Sequence, residues 1–423
     1  MTIHAASRVC VAVRPCAIRQ MSAVGRSRMG GSGRKVTSMG THVAAHRVRV
    51  LAVGLAAVML AAAWIAPAAR AAAWTRPGIR AVSLSANGFL DAVAATSARN
   101  AWAVGQAGPA FSAKPRTLIA RWDGRAWKRV SSPTPASGGS LYGVTVTSAH
   151  RGWAVGETGS ATGTNTKTLI LRWNGTAWTR VPSPTPAGGA TLYSVAVTSA
   201  RSAWAVGWAY RGGRTLILRW NGTAWTRVPS PTPQTPHGAA LLTGVAATSA
   251  SSAWAVGRVF SGTTLKTLIL RWNGTAWTRV PSPDPTGGGA LSDVATTSAG
   301  SAWAVGWAKR GRKTLILRWN GTAWTRVPSP TPHGGALLAD VAATSASSAW
   351  AVGWADRGQK TLILRWNGTA WTRVPSPTPH GGATLYSVAV TSTRNAWTVG
   401  QTGTLSTRRP KTFDLHWNGT TWR

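Results

Sequence analysis

Cysteine is almost absent from this sequence. The chain has 423 residues and two cysteines, Cys10 and Cys16, both within the first twenty positions. If that segment is removed after synthesis, the remaining protein has no thiol. Disulfide bonds and cysteine-based metal or redox sites are then excluded, so the cysteine content cannot indicate the compartment.

Acidic residues are scarce as well, at 8 Asp and Glu against 47 Lys and Arg. Glycosidase chemistry needs two carboxylates facing one cavity. We expect Asp293 and Asp340 to line a central channel, but they occupy equivalent positions of a repeat rather than a unique site. The sequence therefore predicts a protein that is not an enzyme and that has no cofactor and no metal site. A hydrolase or lyase is the least favoured alternative. The full set of acids is Asp91, Asp123, Glu157, Asp284, Asp293, Asp340, Asp356 and Asp414.

The N-terminal segment has the pattern of an export signal. Residues 1–49 contain nine Lys or Arg and no acid, and an apolar run from Val50 to Ala66 follows. Small residues then form an A-x-A-like site, for which cleavage near Ala71 to Ala73 fits best. The alternative is a retained membrane anchor, although a run of about 17 residues is at the lower limit for spanning a bilayer. We therefore predict a secreted or cell-surface protein with residues 1–72 as its leader, and Met39 is a second candidate for the true start.

Tryptophan is abundant, at 26 residues against 4 Phe and 4 Tyr, because it marks an internal repeat. A segment resembling Ala-Trp-Ala-Val-Gly recurs seven times, and two more tryptophans follow it in every copy. A period of about 50 residues is typical of propeller blades. The first tryptophan of each copy is Trp102, Trp153, Trp204, Trp254, Trp303, Trp350 or Trp397. The second and third form the pairs Trp122 and Trp127, Trp173 and Trp178, Trp220 and Trp225, Trp272 and Trp277, Trp319 and Trp324, Trp366 and Trp371, and Trp417 and Trp422.

Each copy contains four short segments rich in Val, Ile, Leu, Trp and Thr, without helical periodicity. In the copy around Trp350 the predicted strands are Leu338–Thr344, Ser348–Gly353, Thr361–Trp366 and Ala370–Val374. Asn-Gly between the third and fourth segments predicts a two-residue type I′ turn. A Pro-Ser-Pro-x-Pro run then ends the sheet. The predicted fold is all-β, a seven-bladed β-propeller of four-stranded antiparallel blades.

The ends of the repeat region predict how the ring closes. The last copy stops at Thr421-Trp422-Arg423, whereas Ala73-Trp74-Thr75-Arg76-Pro77 repeats the start of a fourth strand. We expect residues 73–80 to add an outer strand to the last blade, so the propeller domain is predicted to span residues 73–423. An open solenoid would need polar capping repeats at its ends, and none is visible.

These repeats resemble known propellers. Trp366-Asn367-Gly368-Thr369-Ala370-Trp371 is similar to the Asp-box turn of sialidase-type propellers, and the period resembles that of kelch and galactose-oxidase-type propellers. The pattern looks closest to the Trp-rich repeat proteins secreted by high-GC Gram-positive bacteria. The resemblance implies a propeller over residues 73–423. The copper chemistry of galactose oxidase is excluded, because it needs a cysteine cross-linked to a tyrosine.

One face of the predicted disc holds the long, variable loops, and it is the natural binding surface. Indole rings beside guanidinium groups could stack on a sugar while pairing with an anion. The alternative is that these tryptophans cap the blade edges and the arginines keep the protein soluble. The candidate ligand-binding residues are Trp208, Tyr210, Arg211, Trp307, Arg310, Trp354, Arg357, His237, His333 and His380, the histidines being of the Pro-His-Gly linkers.

The net charge of the chain indicates which class of partner it binds. Ten of the 47 basic residues lie in residues 1–72, which leaves 37 against 8 acids, or a net charge of about +29. Such a surface attracts polyanions. We therefore predict a binding propeller, monomeric, that recognises a glycan or an anionic cell-wall polymer such as teichoic acid or polysaccharide. A protein–protein scaffold is the alternative, and nonspecific binding of nucleic acid through charge is expected.

Overall fold

The computed structural model describes residues 87–159, 166–233 and 239–423. They form seven antiparallel sheets, each built from strands that are consecutive in the sequence. The inner strands of neighbouring sheets contact one another around a closed ring, in which β1 contacts both β5 and β25. The predicted all-β, seven-bladed propeller is therefore confirmed. The predicted leader, residues 1–72, and the predicted outer strand at 73–80 lie outside the described residues and stay predictions.

The first four blades contain sixteen strands. Blade 1 consists of β1 (Gly88–Ser97), β2 (Asn100–Ala107), β3 (Arg116–Trp122) and β4 (Trp127–Val130). Blade 2 consists of β5 (Gly139–Ser148), β6 (Arg151–Thr158), β7 (Lys167–Trp173) and β8 (Trp178–Val181). Blade 3 consists of β9 (Ala190–Ser199), β10 (Ser202–Ala209), β11 (Arg214–Trp220) and β12 (Trp225–Arg227). Blade 4 consists of β13 (Ala240–Ser249), β14 (Ser252–Ser261), β15 (Thr264–Trp272) and β16 (Trp277–Val280).

The remaining three blades follow the same order. Blade 5 consists of β17 (Gly289–Ser298), β18 (Ser301–Ala308), β19 (Lys313–Trp319) and β20 (Trp324–Val327). Blade 6 consists of β21 (Ala336–Ser345), β22 (Ser348–Ala355), β23 (Lys360–Trp366) and β24 (Trp371–Val374), with a single 3-10 turn at Asp356–Gly358. Blade 7 consists of β25 (Ala383–Ser392), β26 (Asn395–Thr402) and β27 (Thr412–Trp417). A short fourth segment of blade 7 pairs with β27 through two backbone bonds between His416 and Arg423.

The tryptophans join each blade to the next. Trp102 of blade 1 lies 4.7 Å from Trp173 and 5.4 Å from Trp178 of blade 2, measured between ring centroids. The same three-ring contact recurs through the pair of blades 6 and 7, where Trp350 meets Trp417 and Trp422. Each aromatic pair adds about 0.5–1.5 kcal/mol beyond its buried area. The tryptophans that mark the repeat in the sequence therefore form the packing between neighbouring blades.

An arginine of each third strand covers these rings in blades 1 to 6. The Arg365 guanidinium carbon, for example, lies 5.2 Å from the centroid of Trp350 and 5.9 Å from that of Trp417. In blade 7 the equivalent residue is His416, whose ring lies 5.0 Å from Trp397 and 6.1 Å from Trp122 of blade 1. The seam that closes the ring therefore uses an imidazole where the other six positions use a guanidinium.

The hairpin between the third and fourth strands differs from the predicted turn. In the Asn174-Gly175 turn of blade 2 only Gly175 has a positive φ, of 105°. Asn174 instead accepts backbone N–H bonds of 2.9 and 2.8 Å from Thr176 and Ala177 through its side-chain oxygen. The type I′ assignment is wrong, because the asparagine acts through its side chain rather than through a left-handed backbone.

A threonine in the third strand holds the proline-rich connection in place. In blade 2 the Thr168 hydroxyl lies 2.8 Å from the hydroxyls of both Ser183 and Thr185. Blade 4 replaces the second of these by Asp284, whose carboxylate accepts bonds of 2.8 Å from the Thr267 backbone and hydroxyl. The connection is thus fixed by side-chain bonds that replace the ladder its prolines cannot continue.

Candidate functional site

The variable connections meet on one face of the disc, here called the loop face. In blade 5 the Lys309 amide, in the loop after β18, donates to the Gly288 carbonyl, in the connection before β17, over 2.9 Å. The equivalent bond of blade 6 joins Asp356 to Gly335 over 3.0 Å. Both kinds of variable loop therefore lie side by side, as the sequence predicted for a binding surface.

A cavity of about 820 Å³ opens on the loop face between blades 5 and 6. Its walls include the cationic residues Lys309, Arg310, Arg312 and Arg357, here called the cationic pocket. Leu337 and Trp354 are among its other lining residues. None of the four cations forms an ion pair with a described residue, and the neighbouring Asp356 pairs instead with Lys360 at 3.8 Å. Their charges are therefore free to attract an anion.

The backbone of the cationic pocket is strained. Lys309, Arg310 and Arg357 have φ values of 49°, 59° and 57°, in the left-handed region that normally favours glycine. Each such residue costs roughly 1–2 kcal/mol. Backbone strain of this kind clusters at ligand-binding sites, where it holds side chains in place for function. In blade 3 the corresponding loop uses Gly212 and Gly213, at 76° and 59°, and is unstrained.

The predicted tryptophans divide into two groups. Trp307 and Trp354 are only 3% and 1% exposed, and they belong to an apolar cluster with Leu337 and Tyr386. Their rings are covered, which favours the alternative that they pack at the blade edges over stacking on a sugar. Trp208 is half-buried, with its ring 4.9 Å from that of Tyr210.

The other predicted residues are dispersed. Arg310 and Arg357 lie in the cationic pocket, whereas Arg211 is exposed on the loop of blade 3. His333 and His380 are exposed on separate inter-blade connections, and His237 lies outside the described residues. Within the part of the chain that the structure describes, no group of three or more His, Cys, Asp or Glu residues is arranged to hold a metal ion.

The residues that break the repeat form a second candidate site. One residue follows Val-Gly in each second strand, and these seven form what we call the variable ring. They are Gln106, Glu157, Trp208, Arg258, Trp307, Trp354 and Gln401. The preceding glycine is required, since a Cβ on Gly156 would lie 1.9 Å from the Ser140 carbonyl oxygen. The first two strands of each blade thus approach closely at the glycine that precedes the ring residue.

Glu157 is the centre of a polar cluster that spans blades 2 and 3. Tyr142 donates to one carboxylate oxygen over 2.9 Å, and Tyr210 donates to the other over 3.1 Å. Thr191 donates to the same oxygen as Tyr210. Glu157 is fully buried, whereas Tyr142 and Tyr210 are half-buried. We call Tyr142, Glu157, Thr191 and Tyr210 the tyrosine–carboxylate cluster.

The electrostatics of this cluster are unusual. Burial raises the pKa of Glu157, although the three hydroxyl donors lower it in part. Burial and the charge of Glu157 together raise the pKa of Tyr142 and that of Tyr210, and the charge of Asp91 in blade 1 adds to the effect at Tyr142. Both phenols therefore stay protonated at neutral pH and donate to the carboxylate.

Sequence reasoning missed this cluster because it treated every polar residue as a repeat element. The available signal was the variable ring itself: Glu157 is the only acid at a position where the other six blades have Gln, Trp or Arg. One of the two acids that were singled out from the sequence has a structural role. Asp340 accepts bonds of 2.9 Å from the amides of Val341 and Val388, which ties blade 6 to blade 7.

No protein-family model matches the sequence, and no curated protein sequence matches it. Solved propellers do match its fold. It is similar to YCF48 from Cyanidioschyzon merolae, with a TM-score of 0.52 at 15% identity over 80% of this chain and 98% of that one. It is similar to a GH74 xyloglucanase from Xanthomonas campestris, with a TM-score of 0.53 at 17% identity over 81% of this chain and 56% of that one. It is also similar to a PL25 ulvan lyase, with a TM-score of 0.52 at 9% identity over 80% and 95% of the two chains.

The comparisons correct the expectation that the chain is not an enzyme. A xyloglucanase and an ulvan lyase, both enzymes, share the architecture, so the propeller does not argue against catalysis. The scarcity of polar residues outside the repeat pattern does not argue against it either, since the tyrosine–carboxylate cluster occurs once among the described residues. No kelch or Asp-box family model matches. The identities are low and show the fold alone: this is a Trp-rich seven-bladed β-propeller, similar in architecture to both YCF48 and polysaccharide-active enzymes.

Proposed function

We propose that this propeller binds an anionic carbohydrate polymer through its loop face, with the cationic pocket as the main anchoring site. The observation that supports this most is the pocket itself, in which four cations without a described acidic partner surround a cavity of about 820 Å³. Guanidinium groups bind carboxylates, sulfates and phosphates through charge-assisted, often paired hydrogen bonds. A chain of such groups is the ligand class that suits the pocket best.

The charge of the whole chain supports the same proposal. With 37 basic residues against 8 acids beyond residue 72, the field of the protein attracts polyanions over long distances. Export is proposed from the leader pattern, and it would bring the protein to teichoic acids or acidic polysaccharides outside the cell. Among the described residues no helix is long and apolar enough to cross a membrane.

The fold is compatible with this ligand class. The ulvan lyase propeller is described as bound to a glucuronate and sulfated-rhamnose unit, which is an anionic sugar. At 9% identity that likeness extends to the fold alone, so the residues that would bind such a polymer here must be tested in this chain.

The test compares two double variants with the same change in charge. Arg310→Gln with Arg357→Gln removes two charges from the cationic pocket, and Arg326→Gln with Arg373→Gln removes two from exposed fourth strands. Binding of the purified full chain to a polyuronate, a teichoic acid and neutral xyloglucan is measured at about 50 mM and about 500 mM salt. We expect the pocket variant to lose at least about tenfold in affinity for the anionic polymers, and the control less than about twofold.

Two outcomes would overturn the proposal. If both variants lose affinity equally, binding is a property of the whole basic surface. If no polymer binds to the parent protein at either salt concentration, the protein–protein scaffold becomes the leading function.

A further inference from the structure

The Glu157 carboxylate is buried without a cation. No Lys, Arg or His of the described chain forms an ion pair with it, and its bonds come from the hydroxyls of Tyr142, Thr191 and Tyr210. Three hydroxyls offset only part of the desolvation of a carboxylate, since its pKa stays raised. A buried charge held in this way costs stability.

The fold does not require that charge. In blade 1 the same ring position is Gln106, which accepts a bond of 2.8 Å from Ser140 of the next blade, as Glu157 accepts from Thr191. The Gln106 amide nitrogen also donates to the Pro109 carbonyl over 2.8 Å. A neutral glutamine therefore makes the inter-blade bond equally well, and the negative charge at Glu157 needs another reason. Ionisable groups kept in costly surroundings are typical of functional sites.

The surroundings of Glu157 favour a cationic ligand. Tyr142 donates its proton to the carboxylate, so its phenol oxygen keeps lone pairs that can accept from a ligand. The Tyr210 oxygen also lies within hydrogen-bond distance of the Thr191 hydroxyl, so Tyr210 contributes its ring. Both phenols and the neighbouring Trp208 are half-buried, which leaves part of each aromatic side chain at the surface. The edge-to-face contact of Trp208 and Tyr210 forms a rigid aromatic wall. Aromatic walls with a negative charge behind them bind ammonium groups.

We infer that the tyrosine–carboxylate cluster, with Trp208 as its wall, binds a primary ammonium group carried by a carbohydrate. The ammonium donates to the phenol oxygen of Tyr142 and packs against the rings of Tyr210 and Trp208, and the Glu157 charge behind them stabilises it. This site shares no residue with the cationic pocket, so it can be tested independently of the proposed binding of polyanions. A loop face with both sites would suit a polymer that has acidic and amino groups.

The test uses two oligosaccharides that differ only at nitrogen, a glucosamine tetramer and its N-acetylated form. Calorimetric titration of the full chain at about pH 7 measures both. We expect the glucosamine tetramer to bind at least about tenfold more tightly, and Glu157→Gln to abolish that preference without lowering the melting temperature. Tyr142→Phe retains the carboxylate and should weaken the glucosamine tetramer several-fold. The double variant Arg310→Gln with Arg357→Gln should leave its affinity unchanged.

The result is decisive in either direction. Equal binding of the two tetramers, no binding of the glucosamine tetramer, or an undiminished preference in Glu157→Gln would each overturn the inference. If Glu157→Gln proves unstable, Tyr142→Phe decides the question, because a purely structural cluster would change stability but not the ratio of the two affinities.

Discussion

In blades 5 and 6 the variable ring holds Trp307 and Trp354, whereas in blades 1 and 2 it holds Gln106 and Glu157. The tryptophans are buried in an apolar cluster with Leu337 and Tyr386. The polar residues instead form hydrogen bonds to Ser140 and Thr191 of the next blade. The same position of the second strand thus packs in an apolar cluster in blades 5 and 6 and forms part of a polar network in blades 1 and 2. The backbone is the same in all these blades, and the side chain at this position determines whether that part of the loop face is apolar or polar.

The sharpest test of that comparison is Trp354→Ala against Trp208→Ala. Trp354 is 1% exposed, so its truncation leaves a cavity and should lower the free energy of unfolding by about 3–5 kcal/mol. Trp208 is half-buried, so Trp208→Ala should cost about half of that or less. Thermal and denaturant unfolding of both variants provides the measurement. Equal losses would mean that the two sectors pack alike.

The next test changes the polar sector. Glu157→Gln should raise the free energy of unfolding at pH 7 by on the order of 1 kcal/mol, because it removes a buried charge and keeps an acceptor oxygen. Since the folded pKa of Glu157 is raised, the parent protein loses stability as the pH rises from the unfolded value of 4.5 through the folded pKa. The advantage of the variant should therefore vanish below about pH 4.5.

The free energy of unfolding of Glu157→Gln and of the parent protein is measured from below pH 4.5 to about pH 7 to test this expectation. Gln106→Glu in blade 1 is the matched reverse change. Gln106→Glu should be destabilising at pH 7, since it buries a charge and removes the donor to Pro109. A stabilising Gln106→Glu would contradict the view that the ring prefers neutral residues.

The smallest effect is expected at the ring seam. His416→Arg restores the residue found in the other six blades and should add about 0.5–1 kcal/mol through contact with Trp397 and Trp122. Burial and the charge of Arg423 lower the pKa of His416. Its contribution is therefore complete above the unfolded value of 6.5 and is lost as the pH falls towards the folded pKa.

The variant should consequently gain most at about pH 5 and least at about pH 8. Melting temperatures at the two pH values test this, with Arg365→His in blade 6 as the converse change. A gain that is independent of pH would show that the imidazole does not titrate at the seam.

Most of the fold could be predicted from sequence because each blade is specified locally. The strand predicted at Thr361–Trp366 is observed at Lys360–Trp366, and that at Ser348–Gly353 extends to Ala355. The recurrence of the tryptophans in every copy likewise matches their repeated packing, as between Trp350 of blade 6 and Trp417 of blade 7. The turn type could not be predicted from sequence. An Asn-Gly dipeptide is compatible either with a left-handed asparagine backbone or with an asparagine side chain that accepts backbone hydrogen bonds, as Asn174 does.

The candidate site was predicted only in part. Arg310 and Arg357 were identified from the basic composition of their loops, and the structure puts both in one cavity. For Trp307 and Trp354 the sequence left stacking on a ligand and packing at the blade edge both open, and their burial favours packing, because an indole beside an exposed loop can turn into the disc. Composition indicates which residues are near a surface but not which way they face.

The sequence by itself determined that this protein is a closed ring of seven Trp-rich blades, since strand pattern, turn residues and packing tryptophans recur within every stretch of about 50 residues. Only the tertiary structure decided that Tyr142 of blade 2 and Tyr210 of blade 3 share one buried carboxylate. The physical reason is that contacts between blades depend on the twist and closure of the whole ring. Tyr210 reaches Glu157, 53 positions earlier in the chain, because two separate sheets present them to the same space, which no local pattern encodes.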